Sequence, residues 1–381
     1  MSQQKLKLSI IFGTRPELIK VAPIILLAKE DERFDVEVIF TGQHEELVRD
    51  AINFFNIKID CKLNMMLAGQ SLNKLLISGL QQLESILSDG QHRDAILVQG
   101  DTTTVLAAGL TAFSLKIPVA HVEAGLRSYD LEHPFPEEGN RQLVSRISRW
   151  HFAPTVQSQQ NLINECIAQN NIHVTGNTVV DAVRLAKVQL NDNQSLKLMS
   201  QLGLEFNKTQ KIVLVTAHRR ENFGEGIQHI CESIQTLIDQ YPDLYFVWPV
   251  HLNPAVYQVV HQYFEGNSQV HLLPPLDYPN LLNIMNQAYF IMTDSGGLQE
   301  ESPSFNKPVL ILRTTTERPE VVHVGGGVLV GTDKALIVEH ATRLMSDIDY
   351  YNSMSQVENP FGDGHAAERI LQQIYTDLMG V

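Results

Sequence analysis

The chain of 381 residues is poor in cysteine and has no long hydrophobic run. Its three cysteines, Cys61, Cys166 and Cys231, are far apart and form no C-x-x-C pair, which excludes a disulfide framework, so we interpret them as ordinary thiols. No apolar run approaches the roughly 20 residues of a membrane helix, and the N-terminal apolar stretch is too short for a signal peptide. We therefore expect a cytoplasmic protein without a membrane partner.

Several motifs of cofactor chemistry are also missing. No G-x-G-x-x-G follows the first predicted strand, so the usual nicotinamide fingerprint is absent, and no G-x-S-x-G marks a nucleophile elbow. The run His44-Glu45-Glu46 is not followed by a second histidine one turn later, and His218 has no cysteine or carboxylate at metal spacing. We therefore expect no metal and no cofactor.

Acidic residues outnumber basic ones, 43 to 29, and the net charge is −14. This balance argues against nucleic acid or an anionic membrane as a partner. With 44% hydrophobic and 19% charged residues, the chain has the composition of a globular protein, and its length suits two domains. Several cations lie beside predicted strand ends, where they indicate a local anion site or, alternatively, solvated surface charge: Arg15, Lys20, Arg219, Arg220, Arg313 and Arg318.

Seven short apolar runs of strand character each end in polar, charged or glycine residues. The runs are LSIIF, AILV, IPVAHV, KIVLVT, YFVWPV, YFIM and PVLIL. In open parallel α/β sheets the carboxyl ends of the strands form the ligand crevice, so chemical residues gathered at these ends describe one site. This layout is typical of an enzyme.

Strand-like runs alternate with amphipathic helical stretches from residue 6 to about 190, and a second series of the same kind begins at Ile212. The stretch 187–211 is polar and lacks a strand pattern, so we place the interdomain connection there. We predict an α/β fold of two Rossmann-like, doubly wound domains, residues 1–190 and 191–364, followed by a C-terminal helix in 365–381. The pattern predicts further helices over 16–29, 72–87, 104–115, 141–149, 226–240, 278–287 and 297–304.

The turn FGTRPE has the pattern of an anion site. A glycine follows a strand, Thr14 can cap a helix that begins at Pro16, and the amide groups exposed there can accept an anion. Lys20 lies one helical turn further on and could reach the same mouth.

A second candidate phosphate cradle is Ser295-Gly296-Gly297. Its glycines allow close backbone approach at the start of a helix whose positive end would face the crevice. The alternative is a simple N-cap with a tight turn. Glu300 and Glu301 follow one turn later, where they are placed to accept sugar or ribose hydroxyls.

Residues with acid–base chemistry also collect at strand ends. Asp101 and Glu123 end two strand runs, Glu137 lies in the loop LEHPFPEEGNR, and His218 arrives from the second domain. Three carboxylates and an imidazole can donate and accept protons on more than one face of a bound molecule, so these are the candidate catalytic residues. Each has a structural alternative, since Asp101 can cap the following helix and Glu137 can cap or pair with Arg141.

The chain resembles the bacterial non-hydrolysing UDP-N-acetylglucosamine 2-epimerases in seven ordered motifs: GTRPELIK, GDTTT, HVEAGLRS, PFPEEGNR, TAHRREN, TDSGGLQEE and TERPE. The resemblance spans residues 12 to about 364. It implies a GT-B-like fold, in which two Rossmann-like domains face across a cleft that binds the nucleotide sugar and a C-terminal helix crosses back to the first domain. It also implies a UDP-sugar partner, no cofactor, and a homodimer, which the family commonly forms.

The resemblance assigns roles to individual residues. UDP and sugar contacts correspond to Arg15, Lys20, Ser295, Gly296, Gly297, Glu301 and Arg318, and the catalytic set corresponds to Asp101, Glu123, Glu137 and His218. Many family members bind a second nucleotide sugar as an activator, at a site whose residues correspond to Gln43, His44, Arg219 and His251. Glu46 stands where a glutamine is common and Gly69-Gln70 where an arginine is frequent, so we expect weaker or altered activation here.

The implied reaction converts UDP-N-acetylglucosamine reversibly to UDP-N-acetylmannosamine. The C2 proton neighbours an acetamido nitrogen and no carbonyl, so a base alone cannot remove it at a useful rate. Breaking the C1–O bond to UDP first gives the ring oxocarbenium character, which acidifies that proton. UDP then adds back to a 2-acetamidoglucal while a proton arrives on the opposite face, and the product would supply capsule or cell-wall polymers.

Other interpretations stay open from the sequence. Relatives with the same motifs act on other UDP-acetamido sugars, and a GT-B glycosyltransferase would use the same cleft with an added acceptor pocket. A hydrolysing epimerase would release free N-acetylmannosamine. A non-catalytic nucleotide-sugar sensor would leave the three carboxylates and His218 without a role.

Overall fold

The computed structural model describes residues 5–43, 45–66, 69–190, 192–207 and 209–380. Contacts divide the chain into two compact units: unit 1 comprises residues 1–185 and 361–381, and unit 2 comprises residues 186–360. The sequence places the corresponding limits at 190/191 and 364/365. The first limit of the units falls inside a continuous helix, where composition does not change and no loop pattern marks it.

The strands of unit 1 form one parallel sheet. They are β1 (Leu6–Phe12), β2 (Phe34–Phe40), β3 (Cys61–Lys62), β4 (Ala95–Gln99), β5 (Val119–Val122), β6 (Trp150–Ala153) and β7 (Ile172–Val174). In the described residues their order is β3-β2-β1-β4-β5-β6-β7. The register pairs Leu8 with Val36 on one side of β1 and with Ala95 on the other. The central strands are buried, as a parallel sheet between two helical layers requires.

The helices of unit 1 connect these strands. They are α1 (Arg15–Glu30), α2 (Glu45–Phe54), α3 (Leu72–Leu87), α4 (Thr103–Ser114), α5 (Glu137–Ile147), α6 (Val156–Asn164) and α7 (Thr178–Gln189), with a 3-10 turn at Gln169–Asn171. Hydroxyl side chains cap α1, α3, α4 and α6 by accepting an amide of the first turn, and they are Thr14, Ser71, Thr102 and Thr155. The predicted cap at Thr14 is confirmed.

Unit 2 repeats the strand order of unit 1. Its strands are β8 (Lys211–Thr216), β9 (Leu244–Pro249), β10 (Val270–Leu273), β11 (Phe290–Thr293), β12 (Val309–Ile311) and β13 (Gly327–Leu329). All are parallel, in the order β10-β9-β8-β11-β12-β13 within the described residues. Both sheets therefore reverse their order beside their first strand, which is the doubly wound arrangement. The predicted α/β fold of two Rossmann-like units is confirmed.

Unit 2 contains one helix that is shorter than the sequence pattern predicts. Its helices are α8 (Asp192–Gln201), α9 (Glu225–Gln240), α10 (Pro254–Phe264), α11 (Tyr278–Gln287), α12 (Gly296–Glu301), α13 (Pro319–His323), α14 (Lys334–Ser346) and α15 (Ile348–Ser355), with 3-10 turns at Arg220–Asn222 and Ser302–Phe305. The predicted helix 297–304 splits into α12 and a 3-10 turn because Pro303 cannot donate a helical hydrogen bond. The polar connection holds α8, whose buried Ser195 donates to Asn283 on α11 at 2.5 Å.

The last helix, α16 (Ala366–Met379), belongs to unit 1. The Asp181 carboxylate on α7 accepts the amides of Ala366 and Ala367 at 3.2 and 2.9 Å, so it caps α16 across a long sequence separation. At the other end, Trp150 donates its indole N–H to Asp377 at 2.6 Å. These contacts fix α16 against the elements of unit 1.

Each unit has its own apolar core between sheet and helices. In unit 2 the core includes Phe246, Trp248 and Phe290, and in unit 1 it includes Ile11 and Val98. Among the helices of the described residues, none combines the length and the apolar composition that a bilayer crossing needs.

Candidate active site

The strand order of each unit reverses at one point, between β1 and β4 in unit 1 and between β8 and β11 in unit 2. Doubly wound sheets bind ligands at this switch point, outside the carboxyl ends of the strands. The loops after β1, β4 and β5 carry Arg15, Asp101 and Glu123, and those after β8 and β11 carry His218 and Ser295. These five residues therefore lie at the carboxyl ends of strands at or beside the switch point of their own unit.

Glu123 follows β5 with a left-handed backbone, φ +63°. Its Oε2 accepts the ammonium of Lys20, the Gln99 amide at 3.1 Å and the Asn177 amide at 3.2 Å. The side chains of Lys20 and Glu123 are both nearly buried. Three N–H donors therefore converge on one oxygen and hold the Glu123 carboxylate in one orientation. The structure thus places Lys20, expected at a phosphate mouth, beside a candidate catalytic carboxylate.

Asp101 follows β4 and is held by α5. Its Oδ2 accepts the guanidinium of Arg141 at 2.6 Å, and its backbone carbonyl accepts the Asn140 amide at 2.8 Å. The alternative role of Asp101 as a helix cap is wrong, because Thr102 caps α4. The Asp101 side chain is partly exposed, so its carboxylate is both oriented and accessible.

Glu137 lies in the first turn of α5, and the prediction that it lies in a loop is wrong. The helix begins at Glu137 rather than at Arg141 because acidic residues stabilise a helix N-terminus and Pro136 precedes it. The neighbouring Glu138 is fully buried and accepts the amides of Ser128 and Tyr129 at 3.0 and 3.3 Å. Glu138 also contacts Arg141, at 3.3 Å. Glu138 therefore has a structural role, and Glu137 remains half-buried at the helix start.

The amide groups after β1 are already occupied. Glu17 Oε2 accepts the amides of Gly13 and Thr14, both at 2.7 Å, and Glu17 Oε1 accepts the Thr102 hydroxyl at 2.5 Å. Burial raises the pKa of Glu17, and these hydrogen bonds oppose that shift. The capping-box residue Glu17 therefore occupies two of the amides of the turn at which the sequence predicts an anion site. Arg15 is half-buried at the same turn.

Gln43 lies close to the same turn. Its side-chain oxygen accepts the Thr104 hydroxyl at 2.8 Å, and a Cβ built on Gly13 would lie 3.2 Å from the Gln43 Cβ. His44, predicted beside it, lies outside the described residues.

His121 is fully buried and its Nε2 lies 2.8 Å from the Gly100 carbonyl, while burial lowers its pKa to about 3. His121 is therefore a neutral core residue.

Asp294 follows β11 and organises the loop after β8. It is fully buried, and its Oδ2 accepts the amides of His218 and Arg219 at 2.7 and 2.8 Å and the Asn222 amide at 3.0 Å. Its Oδ1 lies 3.1 Å from His218 Nδ1, and the His218 side chain is 41% exposed. Burial alone would raise the pKa of Asp294, but the hydrogen bonds from His218 and the loop amides outweigh it and lower the pKa.

The His218 ring stacks on His251 with centroids 5.7 Å apart. His251 accepts the Asn253 amide at its Nδ1, at 3.1 Å, and burial together with the charge of His218 lowers its pKa. The Arg219 Nε is buried without a hydrogen-bond partner among the described residues. Three residues of unit 2 assigned by resemblance, His218, Arg219 and His251, are therefore brought together.

Ser295 occupies the N-cap position of α12, but its hydroxyl makes no cap hydrogen bond in the described residues. Its amide donates to the Thr293 hydroxyl at 2.9 Å. A Cβ built on Gly296 would lie 3.8 Å from the guanidinium carbon of Arg318, and Gly297 is exposed. The helix start and the Arg318 cation are therefore adjacent.

Two arginines of the predicted anion site contact carboxylates of unit 2. Arg318 forms an ion pair with the buried Glu300, and Arg313 donates to Glu221 at 2.8 Å. Glu301 is also buried, in the last turn of α12. Because these cations are compensated by acids, the local positive charge at this sheet end is smaller than the sequence indicates.

The sequence did not reveal the partners of the predicted site residues. Gln99 and Asn177 bind Glu123, Arg141 binds Asp101, and Asp294 binds His218. Gln99 and Asp294 do stand at strand ends, which is a signal for such a role. Within the described residues, no group of three or more His, Cys, Asp or Glu side chains is arranged to hold a metal ion.

Residues 27–375 match the family model described as UDP-N-acetylglucosamine 2-epimerase. The chain is 44% identical over 372 residues to UDP-N-acetylglucosamine 2-epimerase of Escherichia coli K12, covering 97% of this chain and 98% of that protein. The crystal structure of UDP-GlcNAc 2-epimerase from Neisseria meningitidis bound to UDP-GlcNAc matches with a TM-score of 0.90, over 97% of this chain and 99% of the other. The two sequences are 43% identical. A Methanocaldococcus jannaschii enzyme in complex with UDP-GlcNAc and UDP matches at 35% identity and a TM-score of 0.79, over 96% and 99% of the two chains.

The paired doubly wound units and their strand-end residues define an α/β enzyme of the GT-B-like class. Within that class, the chain belongs to the UDP-N-acetylglucosamine 2-epimerase family and is an isomerase.

Proposed function

We propose that the chain converts UDP-N-acetylglucosamine reversibly to UDP-N-acetylmannosamine by eliminating UDP and adding it back. The observation that carries the proposal is the pair of oriented carboxylates at the switch point of unit 1. Glu123 is held by amide and ammonium donors, and Asp101 is held by Arg141. The 44% identity to named epimerases supports the substrate.

The carboxylates suit a sugar ring that gains positive charge. When the C1–O bond breaks, the ring acquires oxocarbenium character, and nearby anions lower the energy of that state. Glu123 accepts the amides of Gln99 and Asn177 and is thereby held in place, and we assign to it the removal of the C2 proton. Asp101 and Glu137 then serve as the remaining carboxylates, for charge stabilisation and for proton delivery to the opposite face of C2.

The basic groups suit the leaving nucleotide. UDP gains negative charge as it departs, which Arg15, Arg318 and His218 would stabilise. Ser295, Gly296 and Gly297 present the start of α12 to a phosphate, and Glu301 accepts sugar or ribose hydroxyls.

A second nucleotide sugar would bind as an activator at Gln43, His44, Arg219 and His251, with weaker effect than in relatives. The Gln70 amide donates to the Met65 carbonyl at 3.0 Å and offers no cation to a diphosphate. A hyperbolic curve of rate against substrate concentration supports this expectation. A strongly sigmoidal curve contradicts it.

The enzyme would act in the cytoplasm as a homodimer, supplying N-acetylmannosamine units for capsule or cell-wall polymers. Phe113 on α4 and Leu143 on α5 are large exposed apolar side chains on neighbouring helices of unit 1, which supports a second copy as partner. Sedimentation equilibrium should give twice the chain mass of 42.8 kDa. A single-chain mass at micromolar concentration would exclude the dimer.

The reaction is tested by incubating the chain with UDP-N-acetylglucosamine in deuterated water and observing C2 by NMR. We expect deuterium at C2 and the manno epimer still attached to UDP. Free N-acetylmannosamine would instead indicate a hydrolysing enzyme. Absence of both exchange and epimer would contradict the proposal, and the matched control is the Glu123→Gln variant, which should exchange far more slowly.

A further inference from the structure

We infer that Asp294 is a positioning residue that fixes the ring and the tautomer of His218, so that Nε2 is the nitrogen available to the leaving nucleotide. The inference rests on the proposed function, because it concerns the imidazole assigned to that step. Asp294 itself does not touch substrate in this account. It acts through His218.

One oxygen of Asp294 fixes the backbone that carries the ring. Oδ2 accepts the consecutive amides of His218 and Arg219 at 2.7 and 2.8 Å and the Asn222 side-chain amide at 3.0 Å. Asn222 also donates to the Leu312 carbonyl at 3.0 Å, which ties the loop after β8 to the end of β12. The loop therefore has little freedom to rotate away from the carboxylate.

The other oxygen faces the ring. Oδ1 of Asp294 lies 3.1 Å from His218 Nδ1, and Asp294 is fully buried. Oδ1 has no hydrogen-bond partner of good geometry among the described residues, so His218 Nδ1, at 3.1 Å, is the group placed to donate to it. Because a carboxylate offers acceptor oxygens only, this contact favours the Nδ1–H tautomer of the ring and leaves Nε2 for the nucleotide.

The surroundings of the ring agree with this assignment. The His251 ring stacks on the His218 ring, with centroids 5.7 Å apart and an interplanar angle of 18°, and so restrains the plane of His218. The Nδ1 atom of His251 accepts the Asn253 amide. His218 remains 41% exposed, which leaves part of the ring accessible to a ligand. A buried acid, a half-exposed imidazole and a stacking partner together form an oriented proton carrier.

The direct test is the tautomer of His218 in the full-length protein with ¹⁵N-labelled histidine. The His218 resonances are assigned by their loss in His218→Gln and followed to rising pH until they no longer change. We expect the Nδ1–H tautomer in the wild type and a shift toward Nε2–H in Asp294→Asn, whose amide donates toward Nδ1. A wild-type ring in the Nε2–H form would overturn the inference, whether or not the variant folds.

Kinetics separates positioning from a merely structural role. Asp294→Asn should lower kcat by roughly 10- to 100-fold with little change in KM, within the range of one oriented acid–base group. Combined with His218→Gln, it should cost no more than His218→Gln alone. Asn222→Ala, which removes one donor to Oδ2 without touching the ring, should keep the Nδ1–H tautomer.

Two failures are distinguishable. Additive losses in the double variant, or an unchanged tautomer in Asp294→Asn, would overturn the positioning role of Asp294. Full activity of His218→Gln would instead remove His218 from the proposed mechanism, while the tautomer measurement would still judge the contact between the two side chains.

Discussion

The two units share a strand order and present opposite chemistry at their switch points. In unit 1 the Asp101 carboxylate is more exposed than its partner Arg141, while Glu123 and its partner Lys20 are both nearly buried. In unit 2 the Asp294 carboxylate is buried and its partner, the His218 imidazole, is partly exposed. The same strand order therefore exposes an acid held by a buried cation in unit 1 and a base held by a buried acid in unit 2. Anions suit the cationic sugar ring, and cations suit the departing nucleotide.

Glu123→Gln should cause the largest loss of activity, because it removes a candidate catalytic carboxylate of unit 1. The amide keeps the shape of the side chain but cannot accept a proton, so we expect kcat to fall by about 10³-fold with a small change in KM. Initial-rate kinetics and C2 exchange in deuterated water measure the loss. The matched control is Glu138→Gln, a buried glutamate of the same unit, which should lower stability more than turnover. Equal kinetic losses in both variants would contradict the assignment.

Arg141→Met tests whether the cation that contacts Asp101 and Glu138 contributes to stability and to turnover. It leaves the fully buried Glu138 without its ion-pair partner and Asp101 without its orienting contact. We expect a loss of about 3 kcal/mol in the free energy of unfolding, and a lower kcat. Urea unfolding measures the first quantity. Arg343→Met is the control in unit 2, where an exposed pair with Asp347 should change stability by less than about 0.5 kcal/mol.

Gly13→Ala tests how tightly the turn after β1 is packed. An added Cβ would lie 2.3 Å from the Thr104 hydroxyl and 2.4 Å from the Thr41 hydroxyl, so we expect a loss of about 2 kcal/mol from overpacking. Gly139→Ala, on α5, meets no atom within 4 Å and should be neutral or stabilising by about 0.5 kcal/mol. Equal unfolding midpoints for the two variants would show that the turn is not tightly packed.

A buried neutral histidine gives unit 1 a pH dependence of its own. Burial lowers the pKa of His121 to about 3 in the folded chain, so the unfolded chain binds the extra proton and stability falls as the pH drops below about 6.5. Between pH 6.5 and 5.5 this group should contribute a loss of about 1 kcal/mol. The free energy of unfolding of His121→Gln should therefore change less with pH over this range than that of the wild type. A wild-type slope in His121→Gln would contradict the prediction.

The elements could be predicted from the sequence because their signals are local. The periodicity of α3 and the apolar run of β8 agree with the structure to the residue. The hydrogen bonds from the Gly13 and Thr14 amides to Glu17 could also be predicted, since Thr14 followed three residues later by Glu17 has the pattern of a capping box. Pro134 and Pro136 obscured the start of α5 at Glu137, because prolines usually mark loops.

The partners of the site residues could not be predicted, because topology brings them together over long separations. Arg141 reaches Asp101 across 40 residues, and Asp294 reaches the His218 amide across 76. No local pattern encodes such contacts. They follow from neighbouring strands, β8 beside β11, and from α5 packing against α4.

The central claim is that the bond to the nucleotide breaks before the C2 proton leaves. It is tested most directly with UDP-N-acetylglucosamine that carries ¹⁸O in the bridge between C1 and the β-phosphorus. Free rotation of the released β-phosphate should move the label into non-bridging positions of recovered nucleotide sugar, at a rate no slower than epimerisation, as ³¹P NMR would detect. Epimerisation with the label still entirely in the bridge would contradict the account.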